Sequence, residues 1–223
     1  HVFEYFLGQT EELGNNLQDI GINPDLLKIL PPMIPNRMTE MASTKEESSH
    51  NVLKIGYCGK IAPMWGVREL IEKAEQMTSK ERPIEVHVIG DKVHRSSPSH
   101  PTFRQDMDKM LRKSPVVTWH GAVDRDKAVE LLTGYDFGWC YRSSWYEKKT
   151  LELSTKLLEH LAINLPFVVT RNKINENLLG NGYPFFVDNE DELDILFEKI
   201  VNKGIDKINM KEILTPHLIS SVR

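Results

Sequence analysis

The sequence predicts an α/β protein, a doubly wound parallel sheet of about six strands with helices on both faces. Three observations predict it. From residue 51 onward, short apolar runs alternate with amphipathic stretches of about a dozen residues, the pattern of strand–helix–strand crossovers. The runs VVTWH and FVVT suit strands covered on both sides rather than on one. The chain has 223 residues, 40% apolar and 27% charged, which is enough to bury a sizeable core.

The elements follow in order. VFEYFLG (2–8) reads as a strand. QTEELGNNLQDIGI reads as a helix, with Leu13, Leu17 and Ile20 on one face. LLKILPPMIP (26–35) reads as a short strand closed by prolines. Residues 36–50 are polar and aperiodic and are expected to be a flexible loop. VLKIGYCG (52–59) is a strand. The helix over 66–77 places Val67, Leu70, Ile71 and Ala74 on one face. A strand (84–90), helix (102–113), strand (116–121), helix (124–135) and strand (136–142) follow. STKLLEHLA (154–162) is a helix, FVVT (167–170) a strand, 172–180 a helix and PFFV (184–187) a strand. The last helix, 189–203, opens with an N-x-x-E capping pattern. Three regions result: a lead-in over 1–50, the doubly wound domain over 51–203, and a tail over 204–223.

Composition also excludes. A net charge of −4 argues against a general nucleic-acid binder. Cys58 and Cys140 are the two cysteines and lie far apart, so neither a disulfide framework nor a zinc spacing is present. They fit a reducing compartment, and a cytoplasmic location is expected. No apolar run reaches the ~18 residues that span a bilayer. The sequence opens at His1 rather than methionine, and a processed or truncated piece is expected.

In such a sheet, ligands bind beyond the carboxyl ends of the strands, where the strand order reverses. The strand-to-helix loops therefore carry the chemistry. In GKIAPMWG (59–66), Gly59 lets backbone approach a ligand and Lys60 projects from the loop. Neither the G-x-G-x-x-G fingerprint nor a P-loop spacing is present. The stretch 142–156 holds Arg142, Lys148, Lys149 and Lys156 in a chain that is acidic overall. Lys148 and Lys149 are expected to be solvated. Lys156 stands at a helix start, where free amides and the positive dipole end already favour an anion. A cation there is unfavourable unless an anion joins it, so a phosphate is expected between Lys156, Lys60 and the amides of 155–158. Glu159 is three residues further on the same face, placed to accept ribose hydroxyls. A nucleoside diphosphate meets both needs. Asp91 reads as a turn former, and no Asp-x-Asp follows a strand, so no metal is expected. His120 at a strand end is either packed or in the site. Trp65 and Trp145 are loop anchors or a wall of the site.

These residues carry a resemblance. LELSTKLLEHLAINLPFVVT (151–170) resembles the signature helix and strand of retaining glycosyltransferases with the two-domain GT-B fold, the group 1 or family 4 class. The matching positions are Glu159, Ala162, Pro166, Val168 and Val169. ILPPMIP, IGYCGKIAPMWGVRELIEKAEQM, IEVHVIGD and VVTWHGAVDRDKAVELLTGYDFGW match the units before it, so the likeness runs over residues 1–203. It implies a Rossmann-like donor domain, the C-terminal half of the GT-B fold. That half binds a nucleotide-sugar for retaining transfer, as in polysaccharide biosynthesis. A separate N-terminal domain, a partner outside this sequence, holds the acceptor. Residues 1–35 resemble the hinge into the second half, and TPHLISSVR the start of a crossing helix. The resemblance places Gly59, Lys60, Ser154, Thr155, Lys156 and Leu157 on the donor diphosphate and Glu159 on the ribose. It places His120, Gly121 and Ala122 along the base. No cofactor is implied beyond the donor itself. Trp65-Gly66 stands where the family has Lys-Gly, and Leu151 stands where its first glutamate falls. The sugar contact in its place falls to Glu147, to Glu152 or to neither. Three alternatives remain beside this reading: a sugar-nucleotide epimerase of the same architecture, a non-catalytic nucleotide-sugar-binding domain, and a receiver-like domain. The last lacks its acidic cluster in GYCGK.

Overall fold

The computed structural model describes residues 4–41, 52–203 and 205. The chain opens with a small βαβ unit. Strand β1 (Phe6–Gly8) is followed by helix α1 (Glu11–Asp19), and β2 (Leu27–Ile29) pairs with β1 in parallel. Thr10 caps α1, its Oγ1 accepting from the Leu13 amide at 3.1 Å and donating to the Leu151 carbonyl at 2.8 Å. The unit is therefore pinned to the loop that precedes the candidate site.

Both strands are shorter than expected. Residues 24–26 form a 3-10 turn, and Pro31, Pro32 and Pro35 lack the N–H that would extend β2. The expected loop at 36–50 is corrected over its first part. Arg37–Met41 is a helix, α2, and Met38 is buried at 3% exposure. Burial of Met38 holds this turn of helix, and the Arg37–Asp126 ion pair at 2.8 Å lies on its exposed side. The rest of that loop and most of the 204–223 tail lie outside the described residues.

The main sheet has six parallel strands: β3 (Leu53–Cys58), β4 (Ile84–Ile89), β5 (Val117–Gly121), β6 (Phe137–Trp139), β7 (Phe167–Thr170) and β8 (Phe186–Val187). Their spatial order is β5-β4-β3-β6-β7-β8, with every pairing parallel. The order reverses between β3 and β6. Helices α3 (Val67–Met77), α4 (Phe103–Lys113), α5 (Arg125–Thr133), α6 (Ser144–Glu147), α7 (Thr155–Ala162), α8 (Lys173–Leu179) and α9 (Glu190–Lys203) complete the described chain. Four-residue α6 interrupts the long loop read between 142 and 156.

Why the strands sit inside is plain from their burial. All four residues of β7 and all three of β6 are buried, because helices cover both faces. Helix α3 buries Val67, Leu70, Ile71 and Ala74, the face its spacing predicts. The last helix is capped as expected, with Asn189 Oδ1 accepting from the Glu192 amide at 3.0 Å. The Glu192 carboxylate reaches back to the Asp188 amide at 2.8 Å.

Candidate functional site

The reversal in strand order brings the carboxyl end of β3 beside that of β6, and the loops there are laced together. Gly59 follows β3 with φ +136°, and Gly90 follows β4 with φ +129°. A Cβ on Gly90 would stand 2.3 Å from the Gly59 carbonyl oxygen, so two backbones meet where no side chain fits. Gly59 donates to the Ile89 carbonyl at 2.9 Å, and Gly90 to the Gly121 carbonyl at 2.7 Å. Ile61 donates to Lys92 (3.0 Å), and His94 to Ile61 (2.7 Å). Across the crevice, the Ser143 amide donates to the Met64 carbonyl at 2.8 Å. The result is a floor of fixed backbone under the switch point.

Lys156 occupies that floor. Its Nζ lies 4.1 Å from the centre of the Tyr57 ring and 3.5 Å from where a Gly59 Cβ would be. No carboxylate among the described residues is within ion-pair distance of it. Desolvation lowers its pKa from the ordinary lysine value, and the Arg142 charge adds to the effect. Around it, burial raises the Cys58 thiol and pushes the Cys140 thiol up to about 12. Neither cysteine is a thiolate at neutral pH, so neither neutralises the ammonium.

Helix α7 begins here without a side-chain cap on Ser154. The amides of Thr155 and Lys156 meet no acceptor among the described residues, which leaves them for an anion. Leu157 differs. Its amide donates to the Ser154 carbonyl at 3.1 Å and its side chain is in the core, so the expected diphosphate contact from Leu157 has no donor to give. Lys60 is exposed on the loop, and its carbonyl accepts the Tyr57 hydroxyl.

Glu159 lies a turn further along α7. It pairs with Arg125 of α5 at 2.9 Å, rather than with Lys156 or His160. Its side chain keeps 23% exposure, so a ligand hydroxyl can still reach it. His160 is fully buried. Its Nδ1 bonds the Lys156 carbonyl at 2.8 Å, while Nε2 meets no partner. Burial lowers its pKa to about 4, so it is neutral and holds the backbone of Lys156 in place.

The strand β5 end carries His120, Gly121 and Ala122. The His120 ring is tied inward, with Nε2 at 3.2 Å from both His87 Nδ1 and the Tyr135 hydroxyl. Burial lowers the pKa of both histidines. The ring is held by His87 and Tyr135, and the Gly121 carbonyl is already engaged by the Gly90 amide. Trp65 packs against the core, whereas Trp145 on α6 is 55% exposed.

The two candidate sugar carboxylates part company. Glu152 is exposed. Glu147 is 4% exposed and fully engaged inside the fold. Its Oε2 accepts from Arg142 at 3.2 Å, and its Oε1 accepts from Asn172 at 3.1 Å and Asn175 at 2.9 Å. A sugar contact from Glu147 would break that set. The sequence did not mark Asn172 and Asn175. Their signal was the helix-opening N-x-x-N spacing, in which Asn172 caps the Asn175 amide at 2.7 Å. Among the described residues no cluster of three or more His, Cys, Asp or Glu side chains is grouped to hold a metal ion. No described helix is long and apolar enough to cross a membrane.

The site is thus a glycine-floored crevice at the switch point of a doubly wound domain, with Lys156 and the start of α7 at its edge. The family model of the glycosyl transferases group 1 matches residues 53–202, and the chain belongs to that family. Solved structures share the fold. Anabaena HepE in complex with UDP-glucose superposes with a TM-score of 0.67 at 12% identity, over 96% of this chain and 59% of HepE. A Rickettsia africae glycosyltransferase gives 0.65 at 14% identity, over 96% of this chain and 59% of that one. Sucrose-phosphate synthase of Thermosynechococcus elongatus gives 0.64 at 10% identity, over 95% and 53%. The chain thus spans less than two thirds of each of these structures. No curated protein sequence matches it.

Proposed function

We propose that this chain is the donor half of a glycosyltransferase that takes its sugar from a nucleoside diphosphate. In this reading 1–50 is the lead-in from an acceptor-binding domain and 51–203 is the donor domain. The observation that carries it is Lys156, a desolvated ammonium without a carboxylate partner, set at the switch point beside two open helix amides. That arrangement lacks one component, an anion. The family and the UDP-glucose held by HepE point to a nucleotide-sugar as its source.

Each part has a task in this reaction. Main chain at His120–Ala122 lines the base. Glu159 accepts ribose hydroxyls, with Arg125 fixing its rotamer. Lys156, Lys60 and the amides of 155 and 156 take the diphosphate. As the glycosidic bond breaks, negative charge grows on the leaving diphosphate. Donors already aimed at it stabilise the transition state more than the ground state. In this reading lysine and amides stabilise the leaving diphosphate as a divalent ion does elsewhere, the sugar passes to an acceptor hydroxyl, and retention at the anomeric carbon is carried over from the retaining class that the sequence resembles.

The test is calorimetric titration with UDP, GDP and ADP in EDTA, repeated on Lys156→Met. One nucleotide binds, and the variant loses about 1.5–3 kcal/mol, as for a charge-assisted hydrogen bond. Equal affinity in the variant overturns the phosphate role of Lys156. A second reading, a domain that binds nucleotide-sugar without turning it over, is favoured by the internal engagement of Glu147. Slow release of free sugar from the bound donor separates the two, since only a catalytic site accelerates it.

A further inference from the structure

Arg142 lies outside the set of residues used so far. It leaves β6 toward the end of β7, where its amide and carbonyl both bond the Thr170 hydroxyl. Its side chain is 18% exposed, and one guanidinium nitrogen donates to Glu147 at 3.2 Å. Glu147 is itself held by Asn172 and Asn175, and the Asn175 amide also donates to the Thr170 carbonyl at 2.9 Å. Glu147 and Asn175 are buried, Arg142 and Asn172 are partly buried, and Arg142 spends one of its five donors on the carboxylate. Such a network fixes an arginine rather than letting it sample rotamers.

Charge makes the same point. Desolvation is the main cause that disfavours the charged form of Lys156, and the Arg142 charge adds a smaller contribution in the same direction. Against these two cations stands one carboxylate, Glu147, because Glu159 is balanced by Arg125. The crevice therefore has one positive charge in excess, in a place where water screens it poorly. A monoanion beside Lys156 would cancel that excess, and a group bridging both cations would use it fully.

Sheet order gives the direction. The base is assigned to the end of β5, and the diphosphate to the β3–β6 junction. Continuing along β5-β4-β3-β6-β7-β8, the next strand end is that of β7, where Arg142 is anchored. We propose that Arg142 is a second phosphate-binding cation, specific for the distal, sugar-bearing phosphate, and positioned for it by the Glu147–Asn172–Asn175 set. This rests on the donor reading above. Arginine suits the role because its planar fork offers paired N–H groups to two phosphate oxygens.

The experiment compares diphosphate with monophosphate. The nucleotide that binds best among UDP, GDP and ADP, and its monophosphate, are titrated into wild type, Arg142→Gln and Arg142→Lys at fixed salt. Arg142→Gln is expected to weaken the diphosphate tenfold or more and the monophosphate by less than twofold. Arg142→Lys keeps the charge without the fork and falls between. If Arg142→Gln does not fold, the lysine variant carries the test, with a threefold or greater loss confined to the diphosphate. Equal loss of both nucleotides, or loss of neither, overturns the proposal while the donor reading stands on Lys156→Met. Absence of any nucleotide binding by wild type overturns the donor reading and this inference with it.

Discussion

Acidification should destabilise this fold through one residue in particular. His160 is wholly buried, packed between Gly138 and Phe167, with Nδ1 on the Lys156 carbonyl and no partner for Nε2. Its folded pKa of about 4 stands below the ordinary value of 6.5. The sign follows from the direction of the shift. The unfolded chain takes up the proton first, so stability is complete above pH 6.5 and is lost as pH falls toward 4. Between pH 7 and 4.5 the loss from this group alone is roughly 2.5 kcal/mol, a large share of a typical folding stability. His87 and His120 act in the same direction, while burial raises the Glu69 and Glu147 carboxyls, so the isolated term needs a variant. His160→Asn keeps a donor near the Nδ1 position and removes the titration. Urea unfolding followed by tryptophan fluorescence, at steps from pH 7 to 4.5, gives both curves. Wild type should fall faster than the variant by about 2 kcal/mol over that range. Superimposed pH dependences, or a His160 proton titrating near 6.5 by NMR, would refute the reasoning.

Three further outcomes follow from packing, capping and pairing. Gly138→Ala should destabilise by about 1–3 kcal/mol or more in denaturant melts, because its Cβ would stand 2.2 Å from His160 Cδ2 and 3.1 Å from Phe167 Cβ. Asn189→Ala should cost about 1 kcal/mol by removing the cap of α9, measured the same way, with Asn189→Ser restoring most of it. A double-mutant cycle on Arg125 and Glu159 should return only about 0.2–1 kcal/mol of coupling to stability, since Arg125 is 51% exposed. The same single variants should weaken nucleotide binding if Glu159 holds the ribose.

FVVT was readable because β7 is buried on both faces, whereas VVTWH, read the same way, forms the edge strand β5 and is only partly buried. IEVHVI alternates buried and partly buried residues, and the Asn189–Glu192 spacing announces its own helix start. What stayed hidden is set by distant partners. Glu147 looks like a solvent carboxylate in a polar loop until Asn172 and Asn175, 25 and 28 residues later, fold onto it. Glu159 shares a helix face with Lys156, three residues before it, yet its partner is Arg125, 34 residues away. Helix α2 has too short a pattern to announce itself, and one buried methionine decides it. The Leu157 amide is lost to the site through a tightened first turn, a matter of backbone geometry that no residue type reports. Lys156 was legible because a cation at a helix start runs against local electrostatics, and such conflicts tend to mark sites.

The central claim is that an anion of a nucleotide seats at the start of α7. Backbone amide NMR during titration with UDP, with GDP and ADP in parallel and EDTA throughout, tests it most directly. The account predicts saturable shifts largest at Gly59, Lys60, Thr155 and Lys156, with smaller ones at Gly121 and Ala122, and their loss in Lys156→Met. Saturable shifts confined to other loops, or none with any of the three nucleotides, would contradict it.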